Sequence, residues 1–374
     1  MKILFTGGGS GGHIFPIVAI VRELRKIRSN QDLEFLFVGP KDEWASNYII
    51  KEGVEVKTIF AGKIRRYLTP DAIFQNIVDI FFKIPLGIIQ AFFCAFFWNP
   101  DLIFSKGGFG SIPIVIAGWV LQIPIFLHES DKDPGLSNRF LAKLSLQVFT
   151  SFQDTERFPK DKIIVVGNPI RKELLKGSLR EAREYFRIRN EKPVILVLGG
   201  SQGAQRINDL VLQILTELLY SFEVIHQTGK KNFEQVKKEA DVMIAQRLKQ
   251  FYHPFPFFEE KEFSLAYVAA HLVISRAGAT TIFAIASLGK PSVLVPLAGA
   301  AQNHQVKNAY AFAKNGAALV IEEANFTPRF FLEKLKHLLT HPGELEHMSQ
   351  KAREFAKPEA ARIIAHYIVD YLSR

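Results

Sequence analysis

One local pattern occurs twice in this chain, and it leaves few folds open. Lys2–Thr6 is a short apolar run that passes directly into Gly7-Gly8-Gly9-Ser10-Gly11-Gly12-His13 and then, after Ile14-Phe15-Pro16, into an amphipathic stretch at 17–27. Val194–Leu198 passes in the same way into Gly199-Gly200-Ser201-Gln202-Gly203-Ala204 and a second amphipathic stretch at 207–219. Each reads strand, glycine loop, helix. Glycines permit positive φ and bring backbone N–H groups close to an anion, and the helix that follows adds the partial positive charge of its N-terminus. Neither common nucleotide fingerprint is present at the first loop. It is not GxGxxG with an acidic residue about 20 positions on, and no Gly-Lys-Ser/Thr follows. At 374 residues the chain is too long for one ordinary core. The repeat therefore predicts two tandem doubly wound domains facing across a cleft.

Further strands read at 33–38, 54–59, Leu102–Ser105, 125–127 and Gln147–Thr150, with helical periodicity between most of them. The second half continues with Glu223–Gln227, Leu272–Ser275, 292–295 and 318–321. This alternation predicts an α/β fold of two Rossmann-like domains, each with a parallel sheet covered on both faces. The turn at 164–171 is the expected boundary, giving domains 1–168 and 169–357. A charged helix is expected at 174–186. An amphipathic helix at 359–372 is expected to bring the terminal segment, about 358–374, back onto the first domain.

Sites in such sheets lie beyond the strand C-termini. Besides the glycine loops, three stretches sit there. Lys106-Gly107-Gly108-Phe109-Gly110-Ser111 is one. His128-Glu129-Ser130-Asp131-Lys132-Asp133-Pro134-Gly135 is another. It holds a literal Asp-x-Asp, Asp131 and Asp133, read here as an Asp-Pro-Gly turn rather than a metal site. The third is 275–309, where Ala277, Gly278 and Ala279 leave the backbone uncovered as a helix begins at Thr280, and Gln302, Asn303, His304 and Gln305 open the next helix. Together they suit a nucleotide: amides and a helix dipole for diphosphate, polar groups for sugar hydroxyls. His13 reads either as a helix-cap residue or as a general base, since imidazole titrates near neutrality.

The stretch at 80–98, IFFKIPLGIIQAFFCAFFW, is close to membrane-spanning length. Lys83, Pro85, Gly87 and Gln90 interrupt it, and spanning would divide one domain between two sides of a bilayer. Two readings remain: a buried helix pair, or a monotopic patch. In the second, Tyr67, Leu68, Ile73, Phe74, Ile77, Phe81 and Phe82, flanked by Lys63, Arg65, Arg66 and Lys83, meet an anionic membrane surface. The formal charge of +10 also points to an acidic partner. No nucleic-acid recognition motif appears, so nucleic acid is not expected. The single cysteine, Cys94, excludes an intrachain disulfide and fits a reducing compartment. Met1-Lys2 runs straight into the first strand, so the N-terminus is expected to be part of the fold.

Taken in order, GGGSGGHIFP, SKGGFGS, HESDKDPGLSN, VGNPIR, GGSQGA, HQTGK, SRAGATT and NHQVKNA resemble the MurG family over nearly the whole chain. That resemblance implies the GT-B fold. It also implies transfer of N-acetylglucosamine from UDP-GlcNAc to undecaprenyl-diphospho-muramoylpentapeptide (lipid I), giving lipid II, by a peripheral protein on the cytoplasmic face of the cell membrane. No cofactor or metal is implied. Matched residue by residue, Ser10, Gly11 and Gly12 would meet diphosphate or donor sugar, with Ser10 in place of the family's usual Thr. Arg171, Ser201 and Gln202 would meet the donor phosphates, Ala279 and Thr280 would lie at the phosphate-facing helix start, and Gln305 would contact the donor. Phe258 would present a backbone amide to uracil. His13 and Glu129 match polar residues on the acceptor side.

Three positions depart from the family pattern. Ala284, preceded by Phe283, stands where a glutamate binds ribose; Asp131 stands where an asparagine is expected, and Gln302 where an aspartate is. A lost ribose carboxylate removes a charge-assisted hydrogen bond of about 1.5–3 kcal/mol where well formed. The implied chemistry is a single in-line inversion, with His13 as base, helped by Glu129 or Asp131. Two alternatives stay open on sequence: a related GT-B enzyme with another lipid acceptor or donor, and a weakly catalytic UDP-sugar-binding membrane protein.

Overall fold

The computed structural model describes residues 1–8, 10–28, 32–65, 69–199, 203–297, 299, 303–325 and 327–374. The chain divides into two compact units, Met1–Arg171 with Pro358–Arg374, and Lys172–Lys357. The division falls after Arg171, so Arg171 belongs to the first unit.

The first unit holds β1 (Lys2–Thr6), β2 (Glu34–Gly39), β3 (Glu55–Thr58), β4 (Leu102–Ser105), β5 (Ile125–Glu129), β6 (Gln147–Thr150) and β7 (Ile163–Val165). They form one parallel sheet in the order β3-β2-β1-β4-β5-β6-β7. Period-two alternation sorts its side chains between two covered faces. Phe5, Phe104, Phe126 and Phe149 pack with the helices Gly11–Ile27 and Ala360–Leu372; Leu4, Ile103, Leu127 and Val148 pack with Ile84–Trp98 and Ile112–Val120. Each fully buried phenylalanine contributes about 1.5–3 kcal/mol. Tyr367 locks the terminal helix in place: its ring meets Phe126 and Phe149 edge-on at 5.4 and 5.3 Å, and its hydroxyl donates to Gln147 Oε1 at 3.0 Å.

The second unit holds β8 (Val194–Leu198), β9 (Glu223–Gln227), β10 (Tyr252–Phe255), β11 (Leu272–Ser275), β12 (Ser292–Leu294) and β13 (Ala318–Val320), again parallel, in the order β10-β9-β8-β11-β12-β13. β10 went unread in the sequence because it contains Pro254, which lacks the N–H a central strand needs. The proline is tolerated because β10 lies at the sheet edge. The expected helix at 174–186 is broken. A 3₁₀ turn at Lys172–Leu175 precedes the helix Leu179–Tyr185, and Ser178 caps the latter by accepting from the Glu181 N–H at 3.2 Å.

Both sheets reverse their winding once, between β1 and β4 and between β8 and β11. Those two points receive the two glycine loops.

The apolar stretch forms neither a buried pair nor a pair at all. Pro70–Trp98 is one continuous helix, long and apolar enough to cross a membrane by length and composition, yet only 17% of its most apolar window is buried. The strands on either side of it, β3 and β4, belong to the same sheet, so it is a crossover that returns along that sheet. Small residues at i, i+4 and i+8 (Gly87, Ala91, Ala95) form its buried stripe, and a Cβ on Gly87 would lie 2.0 Å from the Phe60 carbonyl oxygen. A π turn at Asp79–Lys83 points Asp79 inward, where it pairs with Arg65 at 2.8 Å and Lys83 at 2.7 Å. The rest of the helix faces outward, with Phe74, Phe81 and Phe97 at 68%, 69% and 78% exposure.

Candidate active site

In the first unit the switch point joins three loops. Lys106 N–H donates to Thr6 O at 2.8 Å, which carries the β1–β4 pairing past the strand ends and brings the two glycine loops side by side. The helix Gly11–Ile27 starts inside the glycine run, so Gly11 and Gly12 form its first turn and Ser10 is its N-cap. Ser10 Oγ lies 2.8 Å from His13 Nδ1, and the His13 N–H donates to Ser10 O at 2.9 Å. The imidazole is thereby pinned over the helix start. Gly107 and Gly108 both have φ of +82°, a region costly for other residues. Space forbids side chains there too: a Cβ on Gly107 would lie 2.1 Å from Asn138 Oδ1, and one on Gly108 3.0 Å from His13 Nε2.

Behind these loops lies a buried polar network. Lys106 is 2% exposed, and its ammonium donates to Ser130 Oγ, which donates to Asn168 Oδ1 at 3.0 Å. Glu129, 4% exposed, accepts at both oxygens: from the Asp131 N–H at 2.9 Å and from Asn138 Nδ2 at 2.8 Å. Asn138 Oδ1 accepts in turn from the Gly108 N–H at 3.0 Å. Burial, and then the charge of Lys106, push His13 down to about 3, so its imidazole is neutral through the physiological range. Burial and the neighbouring Asp131 push Glu129 up to about 7, against hydrogen bonds from Asp131 N–H and Asn138 and the attraction of Lys106. Burial brings Lys106 down to about 8, with Glu129 and Asp131 acting the other way. Asp133 of the Asp-x-Asp pairs with Arg139 at 3.1 Å. The guanidinium of Arg171, buried, stacks 3.9 Å from the centre of the Phe15 ring.

In the second unit β11 runs through Arg276 and Ala277 to Gly278, the N-cap of the helix Ala279–Ser287. A Cβ on Gly278 would meet nothing within 4 Å, so the approach to that helix start is open. Ala279 is buried and Thr280 half-buried in its first turn. Glu323, at the end of the sheet, is gripped by Arg276 Nη2 at 2.6 Å and Arg206 Nη1 at 2.8 Å. Burial alone would raise its pKa; the two guanidinium hydrogen bonds outweigh that and hold the carboxyl below the ordinary range. Gln305 Oε1 accepts from the Leu297 N–H at 3.0 Å, and Asn308 Nδ2 donates to Ala277 O at 3.3 Å, tying the next helix to both loops. The Phe258 N–H, expected to read a base, donates to Gln227 Oε1 at 3.3 Å. Phe283 and Ala284 are buried, Phe283 packing 5.3 Å from Phe355.

Ser10, Gly11, Gly12, His13, Glu129 and Asp131 thus gather around one switch point, joined by Arg171 through Phe15. Ala279, Thr280 and Gln305 gather around the other. Ser201 and Gln202, with Gln302, lie outside the described residues. Sequence reading passed over Lys106, Asn138 and Asn168, and the triad of Arg206, Arg276 and Glu323. Lys106 carried a usable signal: a charge between an apolar strand and two glycines. The triad carried none, because its members are far apart in the chain.

Two parallel sheets, each wound both ways from a switch point bearing a glycine loop, are the architecture of a GT-B glycosyltransferase. Residues 3–150 match the glycosyltransferase family 28 N-terminal domain and residues 194–364 its C-terminal domain. A Bacillus cereus protein named UDP-N-acetylglucosamine–N-acetylmuramyl-(pentapeptide) pyrophosphoryl-undecaprenol N-acetylglucosamine transferase 2 is 34% identical over 374 residues, covering 100% of this chain and 99% of its own. A Clostridium kluyveri transferase of the same name, without the numeral, is 37% identical over 339 residues, covering 90% and 91%. In fold, the crystal structure of Acinetobacter baumannii MurG matches with a TM-score of 0.74 at 24% identity, covering 99% of each chain. The chain belongs to the MurG family of glycosyltransferases.

Proposed function

We propose that the two switch points divide the reaction between them, the first unit carrying the groups for the acceptor and the second those for the donor. The enzyme is a hexosyltransferase that moves N-acetylglucosamine from UDP-GlcNAc to lipid I, forming lipid II in peptidoglycan synthesis. The observation that carries the division is the placement of a neutral imidazole, His13, and a buried carboxyl, Glu129, linked through Gly108 and Asn138 at one switch point, and an open helix start at the other.

Transfer with inversion forms one C–O bond to the acceptor hydroxyl and breaks the bond from the anomeric carbon to the diphosphate. His13 takes the hydroxyl proton. Free, its pKa of about 3 makes it a weak base, since general bases work best near the operating pH. The acceptor's own diphosphate would act the other way, because an anion beside His13 favours the imidazolium against both burial and the charge of Lys106. Ser10, Gly11 and Gly12 meet phosphate or sugar through the helix start they form. On the donor side the helix start at Ala279 and Thr280 stabilises the leaving diphosphate, with Ser201 and Gln202 assigned by family resemblance alone. Gln305 orders the loop at Leu297, and in the first unit Arg171 adds a cation held against the Phe15 ring. The Phe258 N–H would read the uracil by exchanging its 3.3 Å bond to Gln227 Oε1 for one to the base. Packing at Phe283 and Ala284 supplies no carboxylate for ribose.

The outer face of Pro70–Trp98 serves as the docking surface for an anionic membrane on the cytoplasmic side. Phe74, Phe81, Phe82, Phe93 and Phe97 are all more than half exposed, and Lys63, Arg65 and Lys83 gather about Asp79 near the middle of the helix. Transfer of radiolabelled N-acetylglucosamine from UDP-GlcNAc to a short-chain lipid I analogue, in EDTA, tests the reading. Labelled product supports it; a folded protein that binds UDP but makes none overturns it.

A further inference from the structure

Glu129 is held in a way that favours its ionised form. Both of its oxygens accept, one from the Asp131 N–H and one from Asn138 Nδ2, so a carboxyl proton on either would weaken a charge-assisted hydrogen bond. The orientation of Asn138 depends on this. While Nδ2 donates to Glu129, Oδ1 is turned to accept from the Gly108 N–H, and Gly108 closes on the imidazole of His13. If Glu129 became neutral and donated, the Asn138 amide would have to turn over and present NH₂ to the Gly108 N–H. The loop would lose its anchor. Yet Glu129 is buried, and Asp131 beside it opposes its charge. Besides the two hydrogen bonds, what favours it is the charge of Lys106, on the neighbouring loop, which is itself buried and held to Ser130. The remaining neighbours, Asn138 and Ser130, are uncharged; His128, which precedes Glu129 on β5, is buried, and burial drives it towards its neutral form.

We propose that Lys106 is a positioning residue for glycosyl transfer: as the counter-ion of Glu129 it keeps the Glu129–Asn138–Gly108 chain of hydrogen bonds pointing one way, and so holds the loop against His13. This rests on the acceptor-side role given above to that switch point. It assigns function to a lysine buried behind the two loops.

The test is the pH profile of kcat/KM for the full enzyme and for Lys106→Met. Loss of the counter-ion moves the acid limb of the profile upward by about one pH unit or more from its wild-type position near 7, a loss of at least about fivefold at pH 7 that recovers towards pH 9. A loss equal at every pH, or an unchanged profile, overturns the proposal. Melting temperature against pH gives a readout that needs no turnover. Glu129 binds its proton more tightly folded than unfolded, so its contribution falls as pH rises to its folded value, near 7 in the wild type and higher in the variant. Lys106, lowered to about 8, contributes stability that rises between about pH 8 and pH 10, and the variant lacks it. The wild type minus variant difference therefore widens between pH 7 and pH 10. A constant difference refutes the ion-pair even if no transfer is seen in either protein. Should Lys106→Met fail to fold, Lys106→Gln, which retains a donor for Ser130, is measured in its place with the same expectations.

Discussion

Gly108→Ala is the sharpest probe of the acceptor-side geometry, because it adds one methyl group where two constraints meet. Gly108 has φ of +82° with ψ of 174°, a region that glycine alone occupies readily, and an alanine there costs about 1–3 kcal/mol. Its Cβ would also come 3.0 Å from His13 Nε2, so the imidazole must move by a few tenths of an ångström. That ring is not loose: Ser10 Oγ holds Nδ1 at 2.8 Å, and breaking such a bond costs about 0.5–1.5 kcal/mol. Summed, the change removes about 1.5–4.5 kcal/mol. For a unit of this size, about 3–18 °C of melting temperature follows. Activity should fall further than stability, since a base displaced by even a fraction of an ångström loses alignment with its proton. Differential scanning calorimetry and the lipid I transfer assay read the two effects. Gly343→Ala is the control: a Cβ there meets nothing within 4 Å, it lies in the first turn of Pro342–Phe355, and it should be neutral or stabilising by up to about 1 kcal/mol. A Gly108→Ala enzyme with wild-type kcat and melting temperature would refute the reasoning.

Two further outcomes are expected. Phe93→Ser with Phe97→Ser removes two outward rings of the crossover helix, each worth about 1.5–3 kcal/mol on burial, so co-sedimentation with phosphatidylglycerol vesicles should fall at least tenfold while the melting temperature stays put; unchanged binding would remove this face from membrane docking. Glu323→Gln leaves two guanidinium groups facing an amide. Breaking a buried pair typically costs about 3–5 kcal/mol, and Arg206 is two-thirds exposed, so about 2–4 kcal/mol of second-unit stability and a raised KM for UDP-GlcNAc are expected; an unaffected KM would separate this triad from the donor site.

Much of the fold was legible because its signals are local. A β-branched or aromatic run followed by glycines and a 3.6-residue period needs no distant partner to be read, and it occurs at Lys2–Thr6 and again at Val194–Leu198. The helix at 174–186 misled because its charged periodicity ran on through Gly177, where Ser178 restarts the helix with its own cap. β10 was hidden by Pro254, which only an edge position tolerates. At 80–98 composition alone could not choose between a buried pair and an outward face. That choice lay in Gly87, Ala91 and Ala95, whose small side chains make one narrow stripe and leave the rings nowhere else to go.

The sequence by itself determined the two strand–glycine loop–helix units, the α/β class, and the residues His13 and Glu129 as candidates, since each depends on residue type and short spacing. Only the tertiary structure decided what surrounds them. Strand order places Lys106 beside Glu129, the turn of Asn138 ties Glu129 to Gly108, and Arg171 comes to rest on Phe15. The physical reason is that charge and basicity in a buried site depend on distance and burial. Both are set by which strands lie next to each other, and not by where the residues fall along the chain.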